Sequence, residues 1–234
     1  MGHHAPRGRH LSAATAVYPP DAAPDAAAEE RGRRLFAAAC EFTAGAATAD
    51  AIPPDSLPEV AFAGRSNVGK SSLINALTAR TTLARVSRTP GRTRQINFFA
   101  LGERLMLADL PGYGYAEASK REVERWGELQ RLYLKGRASL RRVLLLVDAR
   151  QGLKPADAPL MRTLDQAAVS YQVVLTKTDK MAEGALGARL LETAAALKHH
   201  VAAHPVIHLT SAHTGLGIAA LRAALAALAS DAVP

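Results

Sequence analysis

Apolar residues along the chain alternate between short continuous runs and longer segments with helical spacing. The continuous runs predict strands, and they are EVAFAG (59–64), INFFALG (96–102), ERLMLADL (103–110), LRRVLLLVDA (140–149), YQVVLTK (171–177) and PVIHLTSA (205–212). The segments between them predict helices over 71–80, 121–136, 157–168, 185–200 and 218–229. Strands that alternate with helices favour an α/β fold, a mostly parallel six-stranded sheet with helices on both faces. The tight turn within INFFALGERLML indicates one antiparallel strand, at the edge of this sheet.

The predicted strands and helices divide the chain into three parts. Residues 58–230 contain all of them and form the predicted domain. Residues 1–30 are rich in Ala, Pro and charged residues, a composition typical of a disordered tail. Residues 31–57 are predicted to be an N-terminal extension, in which Phe36–Phe42 form a short helix packed on the edge of the domain.

Composition narrows the location and the partners of the chain. Its 234 residues carry a net charge of +8 and a pI near 10.0, which favours an acidic partner such as nucleic acid. A solvated basic face is the alternative explanation for the same charge. No segment is long and apolar enough to span a bilayer, which argues against a membrane partner. A single cysteine, Cys40, suits a reducing compartment, so we expect a cytoplasmic protein. We also expect a monomer.

The junction between the first predicted strand and the first predicted helix reads GRSNVGKSS. Gly64, Gly69, Lys70 and Ser71 have the spacing G-x-x-x-x-G-K-[ST], and the flanking strand and helix are the context that this motif requires. Glycines let successive backbone N–H groups turn inward, and the start of a helix adds the positive end of its dipole, so the loop predicts a phosphate cradle. We expect Lys70 to contact the β- and γ-phosphates and the Ser71 hydroxyl to bind Mg²⁺.

A second motif, DLPG, follows the third predicted strand. In a parallel sheet, ligands bind at the carboxyl ends of the strands, so a carboxylate at this point lies near the phosphate cradle. Asp109 is expected to support Mg²⁺, and Gly112 can donate its backbone N–H to a γ-phosphate.

Two later motifs predict which base is bound. TKTD follows the fifth predicted strand, and the carboxylate of Asp179 can accept hydrogen bonds from guanine N1–H and from the guanine amino group, which adenine does not offer. Lys177 would lay its aliphatic stem along the base. TSA follows the last predicted strand, and backbone N–H groups near Ser211 and Ala212 could reach guanine O6. The sequence therefore predicts GTP as the nucleotide.

Together, GRSNVGKSS, SRTPGRTRQINFF, DLPGYGYA, TKTD and TSA resemble the EngB family of bacterial GTPases, over residues 58–228. The resemblance implies a Ras-like P-loop GTPase domain that assists assembly of the large ribosomal subunit, made of rRNA and ribosomal proteins, and that is linked to cell division and septation. It also assigns TPGRTRQ (89–95) as switch I, with Thr93 as a second hydroxyl ligand of Mg²⁺. A loop held only by the γ-phosphate and the metal would order with GTP and relax with GDP.

The residues expected to contact the nucleotide or Mg²⁺ belong to these motifs. They are Gly64, Arg65, Ser66, Asn67, Val68, Gly69, Lys70 and Ser71 in the P-loop, Gly91, Arg92, Thr93, Arg94 and Gln95 in switch I, Asp109, Leu110, Pro111 and Gly112 in switch II, and Thr176, Lys177, Thr178, Asp179, Thr210, Ser211 and Ala212 around the base. The expected metal ligands are Ser71, Thr93 and Asp109, and the expected catalytic residues are Lys70 and Thr93.

Two positions and one alternative function stay open at this point. Tyr113 stands where Ras-type enzymes carry the glutamine that orients the attacking water, so we expect slow hydrolysis aided by a partner or a bound cation. Asn67 lies where some relatives of this GTPase class hold a monovalent cation, which makes K⁺ a candidate cofactor; a tolerant turn residue is the alternative. A stand-alone P-loop enzyme such as a nucleotide kinase is the alternative function, although TKTD and TSA favour the switch.

Overall fold

The computed structural model describes residues 16–80, 83, 95–114 and 120–230. Over these residues, eight strands form one sheet in the order β1-β8-β7-β6-β3-β5-β4-β2. The strands are β1 (Val17–Tyr18), β2 (Cys40–Ala46), β3 (Glu59–Gly64), β4 (Ile96–Leu101), β5 (Leu105–Asp109), β6 (Leu140–Asp148), β7 (Tyr171–Thr176) and β8 (Ile207–Leu209). The α-helices of the described part are α1 (Ala26–Ala37), α2 (Lys70–Thr78), α3 (Lys120–Gly136), α4 (Ala158–Gln166), α5 (Glu183–Leu197) and α6 (Ile218–Ala226).

The central strands confirm the predicted α/β class. β3 pairs in parallel with β5 and with β6, and β7 pairs in parallel with β6 and with β8. β4 runs antiparallel to β5, as the tight turn between them predicts. Because parallel strands end at the same edge of a sheet, the loops after β3, β5, β6, β7 and β8 lie together. The predicted motifs occupy four of these loops.

Alternate residues of the central strands enter two separate cores. In β6, Val143, Leu145 and Val147 pack with α3, α4 and α5, whereas Leu144 and Leu146 pack with α1, α2 and α6. All of these side chains are fully buried. A strand that is buried on both faces has a continuous apolar sequence, which is why the pattern predicts it so clearly. Among the described residues, no helix combines the length and the apolar character needed to cross a membrane.

The N-terminal part of the chain differs from the prediction. The prediction of a disordered tail is wrong for residues 16–30. These residues contain β1, which pairs antiparallel with β8, and the beginning of α1. The helix lies at Ala26–Ala37 and not at Phe36–Phe42. It begins there because the Asp25 side chain caps the first turn, accepting a hydrogen bond from the Ala28 N–H at 2.7 Å.

Close packing explains why this segment adheres to the domain. Gly32 of α1 lies against α6, where an added Cβ would come within 2.6 Å of the Ala223 nitrogen, so the missing side chain lets the two helices approach. Cys40–Ala46, placed in the extension by the sequence, forms β2 and extends the sheet beyond β4. The sheet of the described residues therefore has eight strands and not six, and β4 is not its edge strand. Glu41, Phe42 and Thr43 are all exposed, so β2 lacks the apolar alternation that predicts a strand.

Candidate functional site

The loop between β3 and α2 has the backbone geometry of a phosphate cradle. Its last residue, Gly69, has a φ of +103°, a left-handed conformation that glycine adopts without strain. At the other end, a Cβ on Gly64 would come within 2.9 Å of the Leu146 carbonyl oxygen. α2 begins at Lys70, directly after the loop, so the positive end of its dipole lies at the cradle. Both glycines of the motif are therefore required by the backbone.

Lys70 and Asp109 meet at this loop. Asp109 is the last residue of β5, the neighbour of β3, and its carboxylate forms an ion pair with the Lys70 ammonium. Both side chains are nearly buried, with 10% of Lys70 and 5% of Asp109 exposed. Ser71 stands next to Lys70 in the first turn of α2. A carboxylate and a hydroxyl are the hard oxygen ligands that Mg²⁺ prefers, so these residues fit the predicted metal site.

Several of the predicted P-loop and switch II residues contact other parts of the protein or are buried in its core. The Arg65 guanidinium donates to the Gln151 side chain at 2.7 Å and to the Gly152 carbonyl at 3.1 Å. Val68 and Leu110 are buried in the core. The Pro111 carbonyl accepts a hydrogen bond from the Gln130 side chain at 2.9 Å, and Gly112 lies against Ser66.

The structure describes only the end of the predicted switch I. Gly91, Arg92, Thr93 and Arg94 lie outside the described residues. Gln95 lies against Gly45 of β2, and its side-chain amide donates to Asn97 at 2.9 Å. The described contacts of Gln95 are thus with the edge of the sheet and not with the P-loop.

The predicted base-binding lysine bridges two loops. Lys177 adopts a left-handed conformation after β7, and its ammonium donates to the Asn67 carbonyl of the P-loop at 2.6 Å. The neighbouring Thr176 hydroxyl donates to the Val68 carbonyl at 2.7 Å. The stem of Lys177 therefore extends from the end of β7 to the P-loop, as the base-binding assignment requires.

Sequence reasoning missed Asp148, the last residue of β6. Its carboxylate lies 3.1 Å from the Lys177 ammonium and accepts hydrogen bonds from Arg150. Burial acts to raise the pKa of Asp148, but the hydrogen bonds from Arg150 and Lys177 outweigh it and lower the pKa to about 2. The rule that chemistry follows strand ends could have identified this residue, because LLLVDAR has the same form as LMLADL.

Asp179 is held in place by the TSA loop. The Ser211 hydroxyl donates to Asp179 Oδ1 at 2.7 Å, and the Thr178 hydroxyl donates to the Thr210 carbonyl at 3.1 Å. Partial burial acts to raise the pKa of Asp179, but the contacts with Ser211 and Lys180 lower it overall, so the carboxylate is ionised at neutral pH.

One expected contact in the TSA loop needs correction. The Ser211 N–H donates to the Leu216 carbonyl at 3.0 Å, so it is engaged within the loop and not directed to a base. Ala212 remains the candidate backbone donor to guanine O6, since it lines the cavity beside Asp179. That cavity has a volume of about 560 Å³, and its walls also include Gly69, Lys177 and Thr210.

The parallel α/β sheet, the phosphate cradle, the carboxylate beside it and the two base loops define a P-loop GTPase. Residues 59–177 match a family described as 50S ribosome-binding GTPase, to which the chain belongs. It is 55% identical over 210 residues to the probable GTP-binding protein EngB of Rhodospirillum rubrum, with 88% of this chain and 91% of that protein covered. It is also 54% identical over 210 residues to the same-named protein of Granulibacter bethesdensis, with 90% and 94% covered.

A solved structure agrees with these relatives. The crystal structure of a probable GTP-binding protein EngB has a TM-score of 0.57 and 26% identity, over 72% of this chain and 97% of that chain. The chain is a member of the EngB family of GTP-hydrolysing proteins, which confirms the resemblance carried by its motifs. The matched family is one of GTPases, and a nucleotide kinase would not be expected to match it.

Proposed function

We propose that the chain is a GTP-dependent switch that assists assembly of the large ribosomal subunit and is linked to cell division and septation. The observation that supports it best is the meeting of the P-loop, Asp109, TKTD and TSA at one edge of the sheet, in a family described as 50S ribosome-binding GTPases. In this proposal, the GTP form docks on a ribosomal precursor and hydrolysis triggers release.

In the nucleotide complex, each motif has a separate task. Lys70 contacts the β- and γ-phosphates, and the backbone of the loop from Gly64 to Gly69 surrounds them. Asp179 accepts the two guanine donors, Ala212 donates to guanine O6, and Lys177 covers one face of the base. The lowered pKa of Asp179 supports this role, because only the ionised carboxylate offers both of its oxygens as acceptors without a competing O–H donor.

The metal site is proposed to consist of Ser71, Thr93 and Asp109. Bound Mg²⁺ would neutralise charge on the β- and γ-phosphate oxygens. Lys70 exchanges its Asp109 partner for the phosphates when nucleotide binds, and this exchange frees the buried Asp109 carboxylate for the metal side of the site. Thr93 would link the ordering of switch I to the nucleotide.

Hydrolysis by the isolated chain is proposed to be slow. The Tyr113 hydroxyl donates to Asp157 Oδ1 at 2.8 Å, so the side chain at the position of the Ras glutamine is committed to a contact within the protein. A partner or a K⁺ ion beside Asn67 would supply the missing stabilisation of the transition state. Asn67 has a φ of 63°, a conformation that Asn tolerates. A role confined to this turn is therefore the alternative to cation binding that an experiment must exclude.

The proposed partner is the rRNA of the large-subunit precursor. We propose that the chain binds it as a cytoplasmic monomer. The net charge of +8 supports an RNA partner, since cationic side chains release counterions from phosphates. The basic residues Arg92, Arg94, Lys120, Arg121 and Arg125 flank the two switches in the sequence, and their side chains lie outside the described part of the structure.

Co-sedimentation with large ribosomal subunits and their precursors tests the proposal. Binding should be stronger with a non-hydrolysable GTP analogue than with GDP, and it should fall steeply as salt rises. Arg121→Glu with Arg125→Glu should weaken this binding and leave nucleotide affinity nearly unchanged.

A matched control is Arg33→Glu with Arg34→Glu. These exposed arginines lie on α1, on the face of the sheet opposite α3, so the same charge change should have a smaller effect. Binding that ignores both salt and nucleotide, or equal losses in the two double variants, would contradict the proposed docking surface.

A further inference from the structure

A buried polar cluster joins the P-loop, the base of switch II and the loop before α4. The Tyr113 hydroxyl donates to Asp157 Oδ1 at 2.8 Å, and the Arg65 guanidinium lies 3.4 Å from the same oxygen. The Asp157 side chain is completely buried, and its other oxygen accepts the Lys154 N–H at 2.8 Å. None of the three central residues is among those that line the nucleotide cavity.

Asp157 and Arg65 hold the tyrosine hydroxyl in a fixed position. The Arg65 guanidinium is held by the Gln151 side chain and the Gly152 carbonyl, so its position beside Asp157 is fixed from a second side. A buried carboxylate needs such partners, because an uncompensated charge in the interior is costly. Burial and the adjacent Asp157 raise the pKa of Tyr113, so its hydroxyl keeps its proton and remains a donor.

Backbone hydrogen bonds connect Tyr113 to the P-loop. The Ser66 N–H donates to the Tyr113 carbonyl at 2.9 Å, and the Tyr113 N–H donates to the Gly64 carbonyl at 3.3 Å. Gly112 directly precedes Tyr113 in the chain, and a Cβ added to Gly112 would lie 3.2 Å from the Ser66 Cα. Its backbone is therefore held directly against the loop that surrounds the phosphates.

We propose that Asp157 is a positioning residue for the γ-phosphate: with Arg65 it anchors the Tyr113 hydroxyl, and the anchored tyrosine keeps Gly112 where its N–H meets a bound γ-phosphate. The α- and β-phosphates and the base are bound by other groups. Loss of the anchor therefore weakens binding of GTP and leaves binding of GDP. This inference rests on the GTPase class of the chain and not on the ribosomal partner.

Two conservative variants test the anchor. Tyr113→Phe removes the hydroxyl, and Asp157→Asn removes the charge that pairs with Arg65. Affinities for GDP and for a non-hydrolysable GTP analogue are measured by titration calorimetry on the full chain with Mg²⁺. Each variant should bind the GTP analogue about tenfold more weakly, the loss expected for one hydrogen bond to a charged acceptor, while GDP affinity changes by less than about twofold. The loss in the double variant should be smaller than the two single losses combined, because both changes disturb the same cluster of contacts at Asp157 Oδ1.

Tyr171→Phe is the matched control. Its hydroxyl is buried without a hydrogen-bond partner among the described residues, and Tyr171 begins β7, at the end of the sheet away from the nucleotide cavity. Its affinities for the two nucleotides should equal those of the parent. Equal weakening of GDP and GTP-analogue binding in the Tyr113 and Asp157 variants would mean a purely structural role and would overturn the proposal, as would unchanged affinities. Thermal melts identify a variant that does not fold, in which case the other variant decides.

Discussion

Asp179→Asn tests the base assignment sharply, because neighbouring hydrogen bonds dictate how the new amide is oriented. The Ser211 hydroxyl oxygen accepts the His213 N–H at 3.2 Å and the Thr214 N–H at 3.1 Å, so its own proton is left to donate to residue 179. An asparagine must therefore turn its carbonyl oxygen toward Ser211. Its NH₂ group then takes the place of the other carboxylate oxygen, which faces the exposed Lys180 at 3.4 Å.

The expected cost follows from the hydrogen bonds that the base would lose. The carboxylate accepts from guanine N1–H and from the guanine amino group, and hydrogen bonds to a charged group contribute about 1.5–3 kcal/mol each. Losing both would weaken GDP or GTP binding by about a hundredfold or more. Xanthine carries an oxygen in place of the amino group, so the NH₂ of asparagine can donate to it and binding of xanthosine nucleotides should improve.

Competition between fluorescent GDP and unlabelled GDP or XDP measures the change in base preference from guanine to xanthine. Ser211→Ala is the control, because it removes the group that orients residue 179 and should weaken GDP without favouring XDP. Asp179→Asn keeps an acceptor for Ser211, so its melting temperature should remain near that of the parent. Unchanged GDP affinity in the Asp179 variant would refute the assignment of this carboxylate to the base.

Further predictions concern the phosphates, the cation and the stability of the sheet. Lys70→Ala should weaken GTP binding through lost charge, whereas Ser71→Ala should also reduce its Mg²⁺ dependence, and parent-like titrations would contradict the P-loop assignment. K⁺ should stimulate single-turnover hydrolysis more than Na⁺, an effect that Asn67→Ala removes; equal rates in both salts would leave Asn67 as a turn residue. Burial, with the nearby charge of His204, lowers the pKa of His208 to about 4, so the unfolded chain binds more protons between this value and its ordinary 6.5. The free energy of unfolding should therefore fall by up to about 3 kcal/mol as pH drops through that range, and less in His208→Leu, as urea unfolding at two pH values would measure.

Local requirements explain which parts of the site could be predicted from the sequence. The P-loop depends on a left-handed Gly69 and a closely packed Gly64, both of which act within one strand–loop–helix unit. The positions of Asp109 and Asp179 follow from the rule that strand ends meet at one edge. The contact between Asp157 and Arg65 could not be predicted in this way. Asp157 follows β6 in the chain, and its proximity to the P-loop becomes evident only from the strand order β6-β3-β5.

The N-terminal segment could not be predicted for a different reason. Its helix is held by Gly32 against α6, and β2 is held by backbone hydrogen bonds to β4, so neither depends on a strong apolar pattern of its own. An Ala-rich sequence with scattered charges has the composition of a disordered tail as well as that of a surface helix. Tertiary contacts with the rest of the domain decide between the two.

This segment also bears on the P-loop, through the far end of its helix. At the end of α2, the Leu77 carbonyl accepts a hydrogen bond from Arg222 of α6 at 2.8 Å. The Ala76 carbonyl, which also accepts the Ala79 N–H at 3.4 Å, accepts a second hydrogen bond from Arg222 at 3.1 Å. The guanidinium lies 5.7 Å from the centre of the Phe36 ring of α1, so α1 covers the group that caps α2. A cation at this end also complements the helix dipole, whose positive end lies at the P-loop. The helix that begins at Lys70 is thus fixed at both ends, and residues outside the 59–177 family match hold the end away from the nucleotide.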